Sequence, residues 1–200
     1  MHRPVLRFLH RLFVWLGVAA VGCAGGTAVY ADISQRYQSW KFDQVPSAIT
    51  VVDGANVGEA VDLQEGDVVG RLEIPRIGIS VMVLQGTEAA TLIAGAGHVP
   101  GTPSPGGDGN VVIAAHRDTF FRTLEGIVAG DRIRVATARG AYEYVVETSR
   151  VVDPGDTRVM ESRGRQELTL ITCYPFYFVG AAPTRFVVHA RPLTAAARRL

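Results

Sequence analysis

Between residues 67 and 192 the chain is cut into short β-rich runs by glycine and proline at intervals too close for long helices. Val69 to Ile74 and Ile79 to Leu84 flank a Pro75-Arg76-Ile77-Gly78 turn. Val111 to Ala115 is a continuous apolar run, hence a buried strand. Arg132 to Ala136 alternates charged and apolar residues. It leads through an Arg139-Gly140 turn into Ala141 to Val152, so this pair reads as a hairpin. Glu167 to Thr172 and Arg185 to Ala190 complete the set. Thr87 and Asp118 stand where helix N-caps belong, before short helical stretches at 88–92 and 119–124. Gly95 to Gly109, rich in glycine and carrying Pro100, Pro103 and Pro105, reads as loop. Seven or eight short strands with small helices in their connections predict a mostly β domain closed into a barrel, an arrangement that leaves no exposed sheet edge.

The other constraint is N-terminal. Leu12 to Ala31 is a run of 20 residues without a formal charge. As a helix it spans about 30 Å, the thickness of a bilayer core. Arg3, Arg7 and Arg11 precede it and Asp32 follows it, so the positive-inside rule places the N-terminus in the cytoplasm and the domain outside the cytoplasmic membrane. A cleaved signal peptide ending Val29-Tyr30-Ala31 and a lipoprotein box ending at Cys23 are the rival readings. The expected organisation is a basic cytoplasmic N-terminus at 1–11, a transmembrane anchor at 12–31 and a stalk at 32–66. In the stalk the helix runs on until Pro46 stops it. The folded domain at 67–192 and a tail at 193–200 follow. The formal charge is +1 overall, and the segment up to Ala31 holds three arginines and no acid. The domain that follows is therefore slightly acidic and has no basic face for nucleic acid.

The chemistry is concentrated in Thr169 to Phe176, TLITCYPF. A buried strand delivers one thiol, Cys173, to its end, and Pro175 then forces the chain out of the ladder. No Cys/His cluster has zinc spacing, and pairing of Cys23 with Cys173 is not expected, so Cys173 is a free thiol. A thiol is a nucleophile as thiolate, or with a base beside it. His116 ends the Val111–Ala115 strand, and Arg185 opens the last strand, a strand–loop–strand return away from Cys173. If the strands are neighbours, the three supply a nucleophile, a proton donor for a leaving amine, and a guanidinium for a developing oxyanion. Taken singly, each has a structural explanation: a small buried thiol, a hydrogen-bonded histidine, a surface arginine.

TLITCYPF, together with NVVIAAHRDTFFRTL before it and APTRFVVHARP after it, resembles the sortases, membrane-anchored cysteine transpeptidases of bacterial surfaces. IPRIGISVMVLQG, GAGHVPGTPSPGGDGN and HRDTFFRTL are most similar to the class D branch, and the likeness covers residues 68 to 192. It implies an eight-stranded barrel and no cofactor for the chemistry; the acidic residues that bind calcium in some sortases cannot be mapped here by motif, so no metal is assigned. The implied substrate is a secreted protein with a C-terminal LPxTG-like sorting signal, and the implied acceptor an amine of peptidoglycan or of another protein. Position by position, Cys173 would be the nucleophile, His116 the general acid and base, and Arg185 the oxyanion and substrate clamp. Thr172 and Tyr174 would line the site, and His98 is the rival base in its glycine-rich loop. Ala115 stands where class D relatives would have glycine before the histidine, which would narrow the His116 pocket. The alternative function is a barrel outside the cytoplasm that binds a peptide without cutting it. A cysteine L,D-transpeptidase is disfavoured because the sequence before Cys173 lacks a His-Gly context.

Overall fold

The computed structural model describes residues 2–43 and 63–193. Its elements are a long helix α1 (His2–Asp43), strands β1 (Val68–Ile74) and β2 (Ile79–Gln85), and a short helix α2 (Ala89–Ala94). Then come β3 (Ala96–His98), β4 (Asn110–Ala114), β5 (Arg132–Thr137), β6 (Gly140–Val152), β7 (Glu167–Tyr174) and β8 (Thr184–Pro192). The strands close into a barrel in the order β1-β2-β3-β4-β7-β8-β6-β5.

Local chemistry accounts for most of the joints. Pro75 opens a single 3₁₀ turn, and Gly78, at φ +69°, returns its N–H to the Pro75 carbonyl, so β1 and β2 pair as the sequence suggests. Gly70 has a different task. A β-carbon there would stand 2.3 Å from the Ala136 carbonyl oxygen, so the bulged start of β1 can approach β5 only without a side chain. β5 and β6 form the expected hairpin, with Thr137 opposite Gly140. Two pairings, β2 with β3 and β4 with β7, are parallel; the rest are antiparallel.

The interior is filled from alternate positions. Leu72 and Ile74, Val81 and Val83, Val111 and Ile113, Ile133 and Val135, Leu168 and Leu170, and Val188 and Ala190 form one buried cluster, with Phe121 and Leu124 added from the segment after β4. Ala115 belongs to the same cluster. Its methyl therefore occupies the barrel, which corrects the expectation that it crowds the His116 pocket.

Four sequence expectations shift. The Gly95–Gly109 stretch is not all loop, because Ala96–His98 pairs with both β2 and β4. Neither Thr87 nor Asp118 caps a helix. α2 starts after Glu88, and the Glu65 carboxylate reaches it from outside, accepting from the Glu88 N–H at 3.3 Å and the Thr91 hydroxyl at 2.6 Å. The segment after Asp118 forms only a 3₁₀ turn at Arg122–Gly126, which has no side-chain cap.

The fourth concerns the stalk, whose beginning is docked. α1 continues past residue 31, and Gln35 donates to the Ala94 carbonyl at 2.5 Å and accepts the Met82 N–H at 2.9 Å, holding the helix on the outside of β2. Arg71 adds a bond to the Ser39 carbonyl. Among the described residues no helix is long and apolar enough to cross a membrane, so the anchor expected at 12–31 gains no support from the fold. The helix stop at Pro46, the glycines of the stalk at 54 and 58, and residues 194–200 of the tail lie outside the described residues.

Candidate active site

Three adjacent strands, β4, β7 and β8, build the site, and their registers decide its geometry. Along β4 and β7 the parallel ladder pairs Val112 with Thr169 and Ala114 with Ile171, and the Ala115 N–H continues it to the Ile171 carbonyl at 3.2 Å. β4 ends at Ala114, and His116 lies two residues beyond it; the same register continued by one pleat repeat would set His116 opposite Cys173. Across β7 and β8 the antiparallel ladder pairs Cys173 directly with Arg185. Because residues opposite one another share a face, Cys173 and Arg185 form a row across β7 and β8, with His116 just past the end of adjacent β4. The interior residues of these strands are Val111, Ile113 and Ala115, then Leu168 and Leu170, then Val188 and Ala190. The row has the opposite parity, so it lies on the outer surface of the barrel.

Cys173 is a free, half-buried thiol. His116 is half-buried too, and its backbone carbonyl accepts the Phe121 N–H at 3.1 Å, which folds the following segment back toward the barrel. The Arg185 guanidinium donates through Nη1 to the Thr184 carbonyl at 3.0 Å and more loosely to that of Ala182 at 3.4 Å. Its Nε and Nη2 have no partner among the described residues, so two donors remain for a ligand. Directly below the row on the same face are Ala114, Ile171 and Val187, an apolar floor in which Ala114 and Ile171 are half-buried and Val187 is fully covered.

The remaining sequence candidates fall elsewhere. Thr172 is buried and has inward parity, and its hydroxyl donates to the Ala115 carbonyl at 2.7 Å. It ties the residue before the nucleophile to the residue before His116 and does not line the outer face. Tyr174 also has inward parity, stacked on Phe186 with centroids 6.2 Å apart and edge-on to Phe176 at 5.7 Å. His98 is 3% exposed at the end of β3. Its Nε2 donates to the Pro103 carbonyl at 2.8 Å, and its Nδ1 lies 2.7 Å from the Gln85 side-chain amide. Burial holds its pKa below the ordinary histidine value. It is a neutral fastener for the loop after β3, on the opposite parity from His116. Asp118 is exposed and its carboxylate accepts no hydrogen bond among the described residues.

Other contributors were not singled out from sequence. Further down the outer face, Asn110, Thr169 and His189 are buried and hydrogen-bonded in series. The Thr169 hydroxyl donates to Asn110 Oδ1 at 2.8 Å and accepts from His189 Nδ1 at 3.0 Å, while Asn110 Nδ2 donates to the Val159 carbonyl at 3.1 Å. This chain of hydrogen bonds ties the β6–β7 connection to the lower half of β4, β7 and β8. Burial, and then the Arg163 and Arg150 charges, keep His189 below the ordinary histidine pKa. The alternation of β7 and β8 in the sequence carries a signal for it: Thr169 and His189 lie two positions from Ile171 and Val187 on the same face. Among the described residues no group of three or more His, Cys, Asp or Glu side chains is placed to hold a metal ion.

The chain that carries this thiol, imidazole and guanidinium on a closed eight-stranded barrel matches a family model. The sortase domain aligns with residues 72–193. This chain belongs to the sortase family of cysteine transpeptidases. It is 35% identical over 132 residues to sortase D of Bacillus subtilis (strain 168), covering 66% of this chain and 67% of the relative. It is 32% identical over 131 residues to sortase A of Bacillus anthracis, covering 64% and 61%. The chain thus spans about two thirds of these relatives or somewhat less. Among solved structures, the SrtA sortase of Actinomyces oris superposes with a TM-score of 0.63 at 28% identity, covering 72% of this chain and 88% of that one. A Clostridium perfringens sortase C, solved with its C-terminal cell wall sorting motif, superposes at 0.61 with 27% identity, covering 69% and 77%.

Proposed function

We propose that this sortase is held in the cytoplasmic membrane by residues 12–31, with its barrel outside, and transfers secreted proteins to an amine acceptor at the cell surface. The substrate signal is LPxTG-like. The observation that carries the reading is the row His116–Cys173–Arg185 above the apolar floor of Ala114, Ile171 and Val187. An extended peptide lying along that face meets the thiol at its scissile carbonyl and the floor with its apolar residues. The sorting motif bound in the Clostridium perfringens relative supports the same substrate class.

In the first half-reaction the Cys173 thiol gives its proton to His116 and its sulfur bonds to the threonine carbonyl carbon of the signal. The negative charge that develops on the carbonyl oxygen meets the Arg185 donors. As the intermediate collapses, the C–N bond to glycine breaks and His116 gives its proton to the departing amine. In the second half-reaction an acceptor amine attacks the thioester carbon, the C–S bond breaks, and the amine's proton returns to His116. The sign of Arg185 favours the oxyanion at both stages.

Membrane attachment is supported by the 20-residue uncharged run and by Arg3, Arg7 and Arg11 before it. Phe13, Trp15, Leu16, Val18 and Val21 are all more than half exposed. The test is full-length protein incubated with an LPxTG-type peptide and a short amine nucleophile. The expected result is a mass-detected thioacyl adduct on Cys173 and an amide product. A Cys173→Ala protein that turns the peptide over at the wild-type rate would end the reading.

A further inference from the structure

The loop joining β7 to β8, residues 175–183, carries Cys173 just before one end and Arg185 just after the other. It also presents exposed apolar side chains, with Tyr177, Phe178 and Val179 at 68, 45 and 94% exposure. Its contacts come from the segment that follows His116. Arg117 Nη2 donates to the carbonyls of Phe178 at 2.7 Å and Gly180 at 2.8 Å, and its guanidinium carbon lies 5.8 Å from the centre of the Phe178 ring. The Arg122 guanidinium carbon lies 5.1 Å from the centre of the Tyr177 ring. Arg117 is held this way although its Nη1 is buried with no acceptor, so its position is set by the loop it grips.

We propose that Arg117 is a positioning residue for the transpeptidase reaction. It latches the β7–β8 loop to the His116 segment and so fixes the wall of the peptide channel beside the catalytic row, with Arg122 as a weaker second point of attachment. The β7–β8 ladder already holds Cys173 and Arg185 opposite one another. Loss of the latch therefore loosens the wall and leaves the thiol in place. Guanidinium suits this task because one flat group donates to two backbone carbonyls while covering an aromatic face, which an ammonium cannot match.

The effect on peptide binding rests on the function proposed above, so the test has an arm that does not. Chymotrypsin cutting at Tyr177 and Phe178 reads the latch directly. Arg117→Ala is expected to speed that cleavage about tenfold, and Arg117→Lys about threefold. In turnover of an LPxTG-type peptide, Arg117→Ala should raise KM about tenfold with kcat within threefold. Alkylation of Cys173 by iodoacetamide should stay within twofold of wild type. Arg122→Ala, which keeps the bidentate contact, should give smaller shifts in the same direction and serves as the milder variant. Unchanged chymotryptic cleavage in Arg117→Ala overturns the latch. Faster cleavage with an unchanged KM overturns its role in positioning the substrate wall. A wild-type protein inert toward the peptide, with the cleavage difference intact, removes the proposed substrate and leaves the latch standing.

Discussion

Replacing Thr172 by valine tests the internal fastening of the site. The Thr172 hydroxyl donates to the Ala115 carbonyl at 2.7 Å, and both residues are nearly inaccessible, at 2 and 6% exposure. Valine keeps the shape and removes the donor, so neither a cavity nor a clash enters the comparison. A neutral hydrogen bond contributes about 1 kcal/mol net, and stranding a buried partner costs about 1–3 kcal/mol, so the expected loss is roughly 2 kcal/mol. With a urea slope of about 2 kcal/mol/M for a domain of this size, the unfolding midpoint should fall by about 1 M. Thr172→Ser keeps the hydroxyl and gives up one methyl group, so it should cost only about 0.8 kcal/mol. The bond also joins the residue preceding Cys173 to the residue preceding His116. Turnover of a sorting peptide should therefore drop about tenfold in the valine protein, since small displacements of reacting groups are costly. A valine protein as stable as the serine protein, or one with wild-type turnover, would refute the reasoning.

Cys173→Ala and His116→Ala should each abolish peptide cleavage while the purified proteins keep the wild-type circular dichroism. His98→Gln should retain most turnover yet lower the melting temperature, because the lost contacts belong to the loop after β3. Gly70→Ala should destabilise the barrel by about 2 kcal/mol or more, read by urea unfolding, as its methyl would meet the Ala136 carbonyl. His98 and His189 are both held below the ordinary histidine pKa, chiefly by burial. The unfolded chain therefore binds protons that the folded chain refuses as pH falls below about 6.5. Stability should be full above that value and fall from it toward the folded-state pKa, so melting at pH 5.5 should come earlier than at pH 7.5. His189→Gln should reduce that difference.

The barrel was legible because its strands are short, β-branched and bounded by residues with a conformational job. Pro75 with Gly78 and Arg139 with Gly140 announce their turns by composition alone. β3 was hidden because so short a run among glycines has no period, and only pairing on both sides makes Ala96–His98 a strand. Thr87 and Asp118 look like caps locally, yet the distant Glu65 carboxylate serves α2, and the stretch after Asp118 tightens into a 3₁₀ turn. Cys173, His116 and Arg185 stand out as polar residues at the ends of apolar strands. Thr172 and Tyr174 sit next to the nucleophile in sequence but on the other side of the pleat, and proximity along a strand says nothing about face. Arg117 and Arg122 carried no signal, since their partners are carbonyls and rings of a loop that lies beyond β5, β6 and β7 in the chain.

The parallel pairing of β4 with β7 has a consequence for the protein's life before it is finished. The base and the nucleophile are distant in the chain, and everything from β5 to the β6–β7 connection must be accommodated before their strands can meet. Closing so long a loop is an entropic cost that only the completed ladders recover. An unfinished or partly unfolded chain thus carries a thiol but no peptidase. The last strand, β8, brings Arg185 opposite Cys173 and seals the barrel in one step. For an enzyme whose thioester intermediate can be lost to water, arming only the fully folded molecule protects the substrates that would otherwise be cut and never joined.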